Sequence, residues 1–205
     1  MPTIYDIKPR FQALLRPITR GLAAAGITAN QVTLSAAALS VLTGTLLACR
    51  PWNRWVLLLV PLVLFVRMAL NAIDGMLARE HGQKSPLGAI LNEVADVVSD
   101  AALYLPFALI GPLNLWLVVV VVLLAVISEM TGVVAVQIGA TRRYDGPLGK
   151  SDRAFLFGLI ALLGGLGVPL HPWVNPVLAI AVGLLALTIV NRAKHALAEV
   201  ASRRT

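Results

Sequence analysis

The sequence predicts an all-α polytopic membrane protein, with six transmembrane helices preceded by an amphipathic juxtamembrane helix. Of its 205 residues, 58% are hydrophobic and 13% are charged, whereas a soluble domain has about 45–50% apolar and 25% charged residues. The apolar residues form long blocks, and short polar breaks rich in proline and glycine separate the blocks. The length suits one compact bundle, so residues 1–205 are expected to form a single membrane domain.

The breaks divide the chain into six candidate spans. We place them at 30–49, 55–79, 87–110, 114–140, 154–169 and 173–192, so that 30–192 is a six-helix bundle and 193–205 a cytoplasmic tail. Residues 1–28 form an amphipathic N-terminal segment, in which apolar residues recur at helical spacing between basic ones. This segment either lies in the lipid head-group plane or packs on the bundle as an ordinary surface helix.

The basic residues predict the orientation. The net charge is +7, which in a soluble protein would suggest nucleic acid. Here fourteen of the seventeen lysines and arginines fall at the two termini and in the two longer charged loops, whereas Arg50 and Arg54 lie on the opposite side. The positive-inside rule then places both termini in the cytoplasm, in an inner membrane, and assigns the charge to topology and lipid head groups, with no role in binding nucleic acid.

Polar residues follow one face of each of two consecutive spans. The second span has Arg67, Asn71, Asp74 and Ala78 at helical spacing, and the third has Gly88, Asn92, Asp96 and Asp100 at steps of four. Because a short loop joins the spans, they are expected to be antiparallel neighbours, with Asn71, Asp74, Asn92 and Asp96 facing each other near the cytoplasmic end. Facing oxygen ligands at this spacing are what a hard divalent cation needs, and a cation there could clamp a diphosphate.

The same residues resemble the signature of the CDP-alcohol phosphotransferase family, D-x-x-D-G-x-x-A-R followed after eight residues by G-x-x-x-D-x-x-x-D. The chain has Asn71, Asp74, Gly75, Ala78 and Arg79, then Gly88, Asn92 and Asp96, at the family's spacing. The segment 28–33, with Asn30 and Thr33, is also similar to the family's entry motif T-P-N-x-x-T, although alanine replaces its proline.

The resemblance implies transfer of a substituted phosphate group from a CDP-alcohol, such as CDP-diacylglycerol, to a small alcohol acceptor, with release of CMP, in phospholipid biosynthesis. It implies Mg²⁺ or Mn²⁺ at Asn71, Asp74, Asn92 and Asp96, with Asp96 as the general base. The residues implied to bind the CDP diphosphate are Asn30, Thr33, Asp74, Gly75, Ala78, Arg79, Ser85 and Gly88. The family is often a homodimer, which apolar faces on the third and fourth spans would permit.

Asparagine stands at two of the four family aspartate positions, Asn71 and Asn92, and this leaves three readings open. The site binds one metal ion weakly and still catalyses, it recruits Glu93 or Asp100 as a replacement ligand, or it has lost the chemistry and kept the fold. The last reading makes the chain a non-catalytic protein that binds a CDP-lipid or serves as a membrane partner subunit. A small transporter is disfavoured, because no repeated halves or paired broken helices are evident.

Three further charges, Arg67, Asp100 and Glu129, fall near the bilayer midplane when residues are counted inward from the cytoplasmic ends. We expect Arg67 to pair with Asp100, Glu129 or both in a structural ion network, and the alternative is a polar floor that contacts the acceptor. The loop 141–153 carries Arg142, Arg143, Lys150 and Arg153. Either these basic residues only set the membrane topology, as in other cytoplasmic loops, or the loop is a phosphate-binding site for an anionic acceptor.

Overall fold

The computed structural model describes the backbone of residues 4–203 and the side chains of residues 10–203. Within this range the chain is entirely helical, as predicted. It contains seven α-helices and one 3₁₀ helix: α1 (Ile4–Ala24), α2 (Ala29–Cys49), α3 (Arg54–Glu80), α4 (Pro86–Tyr104) followed by the 3₁₀ helix Leu105–Leu109, α5 (Leu115–Gln137), α6 (Lys150–Gly165) and α7 (Val174–Ser202).

Helices α2 to α7 occupy the six segments expected to span the membrane, but only four of them are both long and apolar enough to cross it: α2, α3, α5 and α7. Helix α4 has 19 residues and carries three carboxylates, and α6 has 16 residues. Two boundaries differ from the prediction. Helix α6 begins at Lys150, within the expected loop, and α7 continues to Ser202, so most of the expected tail is helical.

Local signals explain where the helices start and stop. Asn53 and Asn114 precede α3 and α5, and the side-chain oxygen of each accepts hydrogen bonds from backbone N–H groups of the first turn. Helix α1 ends at Ala24, and two residues later Gly26 has a φ of 76°, in the left-handed region that favours glycine. The Ile27 N–H then donates to the Leu22 carbonyl, which satisfies one of the last carbonyls of the helix.

The described chain divides into two compact units. Residues up to Leu42 together with Leu62–Ser99 form the first unit, and Thr43–Pro61 together with Asp100–Thr205 form the second. The division therefore falls within α2, α3 and α4, and Pro61, which interrupts the hydrogen-bond ladder of α3, is the last residue before one boundary. The two units are described separately.

In the first unit, α1 packs through one face against the end of α3. Leu15 and Thr19 are buried there, and the Thr19 hydroxyl lies 3.9 Å from the Met76 sulfur. Arg16 holds Glu80 through two hydrogen bonds of 3.0 and 3.1 Å. Next to this buried face, α1 leaves Leu14 and Ile18 exposed, as residues that face lipid head groups would be.

In the second unit, α5 and α7 pack side by side, and the loop between α5 and α6 lies across them. Gly132 on α5 makes this approach possible. The N–H of Arg143 donates to its carbonyl, and a Cβ at Gly132 would overlap both the Arg143 carbonyl and the Arg142 guanidinium. The apolar part of this unit includes a stacked pair, Tyr104 and Phe157, with ring centroids 4.2 Å apart.

Candidate active site

Asp74 lies on α3 in the first unit, buried beside the start of α2. The Thr33 hydroxyl donates to Asp74 Oδ2 over 2.8 Å, and both side chains are at most 6% exposed. This hydrogen bond fixes the position of the Asp74 carboxylate. The entry segment 28–33 and the α3 motif therefore meet through one directed contact.

Asp96 lies on α4 and contacts two polar residues of α3. The Asn71 amide nitrogen donates to Asp96 Oδ1 over 3.3 Å. The guanidinium Nη2 of Arg67 donates to the Asp96 backbone carbonyl over 3.2 Å and lies 3.7 Å from Oδ1. Arg67 is 3% exposed, so a permanent positive charge is buried next to the residue expected to act as the base.

The loop between α3 and α4 brings further motif residues together. A Cβ added at Gly88 would lie 2.8 Å from Asn30 Oδ1 and 3.0 Å from Ser85 Oγ, so these three residues form one surface that tolerates no added bulk. The Arg79 guanidinium folds back over Gly75, 3.1 Å from where a Cβ would be. The half-buried Ala78 and Asn92 lie on the same two helices, one turn from Asp74 and Asp96 respectively.

Gln83 was not identified from the sequence, yet it connects this loop to the start of α2. Its side-chain oxygen accepts from the Ala29 N–H over 2.7 Å, and its amide group donates to the Ile27 carbonyl over 3.5 Å. The only available signal was its position within the eight-residue spacer, which the motif leaves unspecified. Gln83 therefore positions the entry segment that carries Asn30 and Thr33.

The donor set of the motif consists of two carboxylates, Asp74 and Asp96, and two amides, Asn71 and Asn92. Among the residues that the structure describes, no three His, Cys, Asp or Glu side chains come together as a metal cluster would require. Carboxylate and amide oxygens are suitable ligands for one hard divalent cation. Two such cations would need more negative charge than these residues supply.

In the second unit, Glu129 on α5 is the centre of a buried ion network. Its carboxylate lies 3.0 Å from Arg153 Nη2, 3.0 Å from Arg142 Nη2 and 3.3 Å from Arg192 Nη1. Arg153 Nη2 also lies 3.0 Å from Asp100 Oδ2. We call these five residues the Glu129 cluster: Asp100, Glu129, Arg142, Arg153 and Arg192.

The cluster joins residues that were predicted to have separate roles. Arg153, which the sequence places in the basic loop, lies in the first turn of α6, is fully buried and donates to both Asp100 and Glu129. Arg192 was counted only as a topogenic charge, but it is 1% exposed and also donates to the Ser128 carbonyl. The expected pairing of Arg67 with Asp100 or Glu129 stays a prediction.

The remaining basic residues of loop 141–153 are engaged differently. Arg143 holds Asp145 through hydrogen bonds of 2.7 and 2.8 Å and lies 3.1 Å from Glu199. The Arg143 hydrogen bonds, together with one from His195, lower the pKa of Asp145 to about 2, although partial burial opposes the shift. Lys150, the first residue of α6, is half-buried.

Comparison with known proteins identifies the family that this arrangement resembles. A family model described as CDP-alcohol phosphatidyltransferase matches residues 26–190. The chain is 49% identical over 201 residues to "Inner membrane protein YnbA" of Escherichia coli K12, covering 95% of this chain and 96% of that protein. It is 29% identical over 196 residues to "Phosphatidylinositol phosphate synthase" of Mycobacterium marinum, covering 88% and 76% respectively.

Solved structures share the fold. The crystal structure of Mycobacterium tuberculosis phosphatidylinositol phosphate synthase with CDP-DAG bound superimposes with a TM-score of 0.67 and 23% identity, covering 90% of this chain and 92% of that one. The same enzyme in complex with manganese and citrate gives a TM-score of 0.65 at 23% identity, covering 90% and 87%. At this identity the likeness shows a common fold.

Proposed function

Because the chain belongs to the CDP-alcohol phosphatidyltransferase family, we propose that it is a phosphotransferase of phospholipid biosynthesis in the inner membrane. It transfers the substituted phosphate group of a CDP-alcohol, CDP-diacylglycerol in the first instance, to an alcohol acceptor and releases CMP. The observation that supports this most strongly is the pairing inside the motif, where Thr33 holds Asp74 and Asn71 holds Asp96.

The proposed reaction is a displacement at the phosphorus that carries the lipid. The acceptor hydroxyl oxygen forms the new bond to this phosphorus, and the bond from phosphorus to the oxygen shared with CMP breaks, so that CMP keeps that electron pair. Asp96 takes the proton of the acceptor hydroxyl as general base. The Arg67 guanidinium, 3.7 Å from Asp96 Oδ1, fixes the position of this carboxylate.

The donor is proposed to bind along the entry segment and the loop between α3 and α4. Arg79, together with the Ser85 hydroxyl and the N–H groups around it, offers donors for the diphosphate oxygens. Gly88 has no side chain to separate Asn30 from Ser85, so both residues can contribute to one nucleotide-binding surface. The related structure with CDP-DAG bound supports a CDP-lipid as the donor.

The proposed cofactor is one divalent cation, Mg²⁺ or Mn²⁺. Asp74 and Asp96, with the amide oxygens of Asn71 and Asn92, would hold it, and when bound it neutralises diphosphate charge and stabilises the leaving oxygen. A related structure in complex with manganese supports this choice. One ion matches the negative charge of the two carboxylates, because the Arg67 guanidinium already lies 3.7 Å from Asp96 and offsets part of that charge.

The membrane arrangement is part of the proposal. Helices α4 and α6 cross the membrane with the four longer apolar helices, giving six spans, and both termini and the active site are cytoplasmic. The buried charges of α4 support this, because carboxylates in a spanning helix are retained where they have partners.

The acceptor is a small alcohol that contacts the basic residues Arg142, Arg143, Lys150 and Arg153. The exposed apolar residues of α4, including Ile90 and Val94, would suit a homodimer.

The test is CMP release by the purified protein in lipid nanodiscs with CDP-diacylglycerol, Mg²⁺ or Mn²⁺ and a panel of alcohols. We expect release that requires an acceptor and falls at least about a hundredfold in Asp96→Asn. Asp152→Asn is the matched control, because Asp152 is an exposed aspartate on α6. Thermal stabilisation by CDP-diacylglycerol without CMP release would instead favour the second candidate, a non-catalytic CDP-lipid-binding protein.

A further inference from the structure

The Glu129 cluster has an unusual charge balance for a basic site. Three guanidinium groups, from Arg142, Arg153 and Arg192, surround one carboxylate, and Asp100 adds a second. The three positive and two negative charges leave the cluster with a net charge of +1. Each arginine already uses part of its donor surface on Glu129.

Arg153 nevertheless keeps unsatisfied donors. Its Nη2 is shared by Asp100 and Glu129, but Nε and Nη1 are buried without a hydrogen-bond partner among the described residues. The residue is fully buried. Buried N–H groups of a charged side chain are costly to leave unpaired, so the geometry indicates a ligand that brings oxygen lone pairs to this guanidinium.

The carboxylates decide what kind of oxygen fits. Asp100 and Glu129 each have a carboxylate oxygen 3.0 Å from the Arg153 guanidinium. A phosphate dianion bound to the same guanidinium would lie close to both carboxylates, and like charges that close together in a buried site repel strongly. A hydroxyl group has both functions that the cluster requires: it accepts from an arginine N–H and donates to a carboxylate oxygen. Several hydroxyls on one small molecule could satisfy both kinds of partner together.

We infer that the Glu129 cluster binds the hydroxyl groups of a neutral polyol and selects against its phosphate esters. This deepens the proposed function, on which the identification of the polyol as the acceptor rests, and it departs from the phosphate-binding role expected for the basic loop. Glu129 is the specificity-determining residue, because all three arginines contact its carboxylate and, together with Asp100, it reduces three positive charges to a net charge of +1.

The experiment measures binding, so that it does not depend on transfer. Isothermal titration of the full-length protein in nanodiscs would compare glycerol and myo-inositol with glycerol 3-phosphate, myo-inositol 1-phosphate and inorganic phosphate. We expect at least one neutral polyol to bind about tenfold or more tightly than its phosphate ester. Tighter binding of the esters or of inorganic phosphate, or no binding by any of the five compounds, overturns the inference.

Substitution then identifies the residue responsible. Glu129→Gln keeps the shape and removes the charge, so the preference should shift toward the phosphate ester by about tenfold or more. Glu199→Gln is the matched control, because it removes a carboxylate from Arg143 outside the cluster, and it should leave the preference unchanged. If Glu129→Gln does not fold, Asp100→Asn should shift the preference in the same direction. Equal effects in the cluster variant and the control contradict the inference.

Failure of this inference can be told apart from failure of the proposed function. Polyol binding without CMP release would contradict the transferase proposal alone. CMP release with no preference between a polyol and its phosphate ester would contradict the role of Glu129 alone.

Discussion

At Asn71 an amide stands where the family motif has a carboxylate, and its nitrogen donates to Asp96. An aspartate at this position could not donate, and it would instead face Asp96 as a second negative charge. The asparagine thus stabilises the site without a metal ion, and the cost is weaker attraction for one. Asn92, one turn before Asp96 on α4, has the same effect on the charge.

Restoring both carboxylates should strengthen metal binding. We expect Asn71→Asp combined with Asn92→Asp to lower the Kd for Mn²⁺ by at least about tenfold, because ligand charge largely sets the affinity for a hard cation. Titration followed by electron paramagnetic resonance would measure it. Asn114→Asp is the control, since aspartate also caps a helix. An unchanged Mn²⁺ titration in the double variant would rule out a metal site at the motif.

Arg67 should matter for stability as well as for Asp96. Arg67→Met removes a buried charge that donates to the Asp96 carbonyl and approaches its carboxylate, which should cost about 1–3 kcal/mol. Thermal unfolding in nanodiscs would measure this loss. Arg20→Met, which changes an exposed arginine of the same unit, should have almost no effect. Equal unfolding temperatures for the two variants would show that the Arg67 contacts are unimportant.

At the scale of elements, the sequence predicted helices far better than it predicted their partners. The hydrophobic blocks and the breaks between them predicted the position of every described helix within a few residues, because helices and breaks depend on local composition. The end of α7 is the exception. Periodicity also placed Asn71 and Asp96 on facing stripes of consecutive helices. It could not show that Arg153 reaches Asp100, because a residue's spacing within one helix does not tell which distant helix lies beside it.

The loop between α5 and α6 depends on a close approach that a methyl group would prevent. Gly132→Ala should force the Arg143 carbonyl and the Arg142 guanidinium away from α5 and lower stability by about 1–3 kcal/mol. Gly183→Ala is the matched control, because a Cβ there meets nothing within 4 Å and alanine favours a helix. Thermal unfolding of both would test the account, and a loss in Gly183→Ala as large as in Gly132→Ala would contradict it.

At the scale of the whole molecule, composition predicted a membrane protein and the motif resemblance implied the family, which the family match over residues 26–190 confirms. The number of membrane spans is harder to obtain from the sequence, because six were predicted and four helices are long and apolar enough to span. Helix α4 carries three carboxylates and is not among the four helices that are long and apolar enough to span, and α6 has only 16 residues. In the proposed topology, the carboxylates of α4 lower the hydropathy of a spanning helix, so hydropathy alone would identify fewer than six spans.

The single cysteine offers a test of the orientation. Cys49 is exposed at the end of α2, on the side opposite both termini if the proposed topology holds. We expect a membrane-impermeant maleimide to label it in intact cells whose outer membrane has been permeabilised, but not in sealed inside-out vesicles. Ser202→Cys in a Cys49→Ala background should show the reverse. Labelling of Cys49 only in inside-out vesicles would invert the topology.

The central claim is that a motif with two asparagines still transfers a phosphatidyl group. Mass spectrometry of the lipid product tests it most directly, with CDP-diacylglycerol, Mn²⁺ and a mixture of alcohol acceptors in one reaction. The account predicts a phosphatidyl-alcohol formed in equal amount to CMP, and its loss in Asp74→Asn and Asp96→Asn. The account would be contradicted if the folded wild-type protein formed no phosphatidyl-alcohol, or if both variants formed as much of it as the wild type.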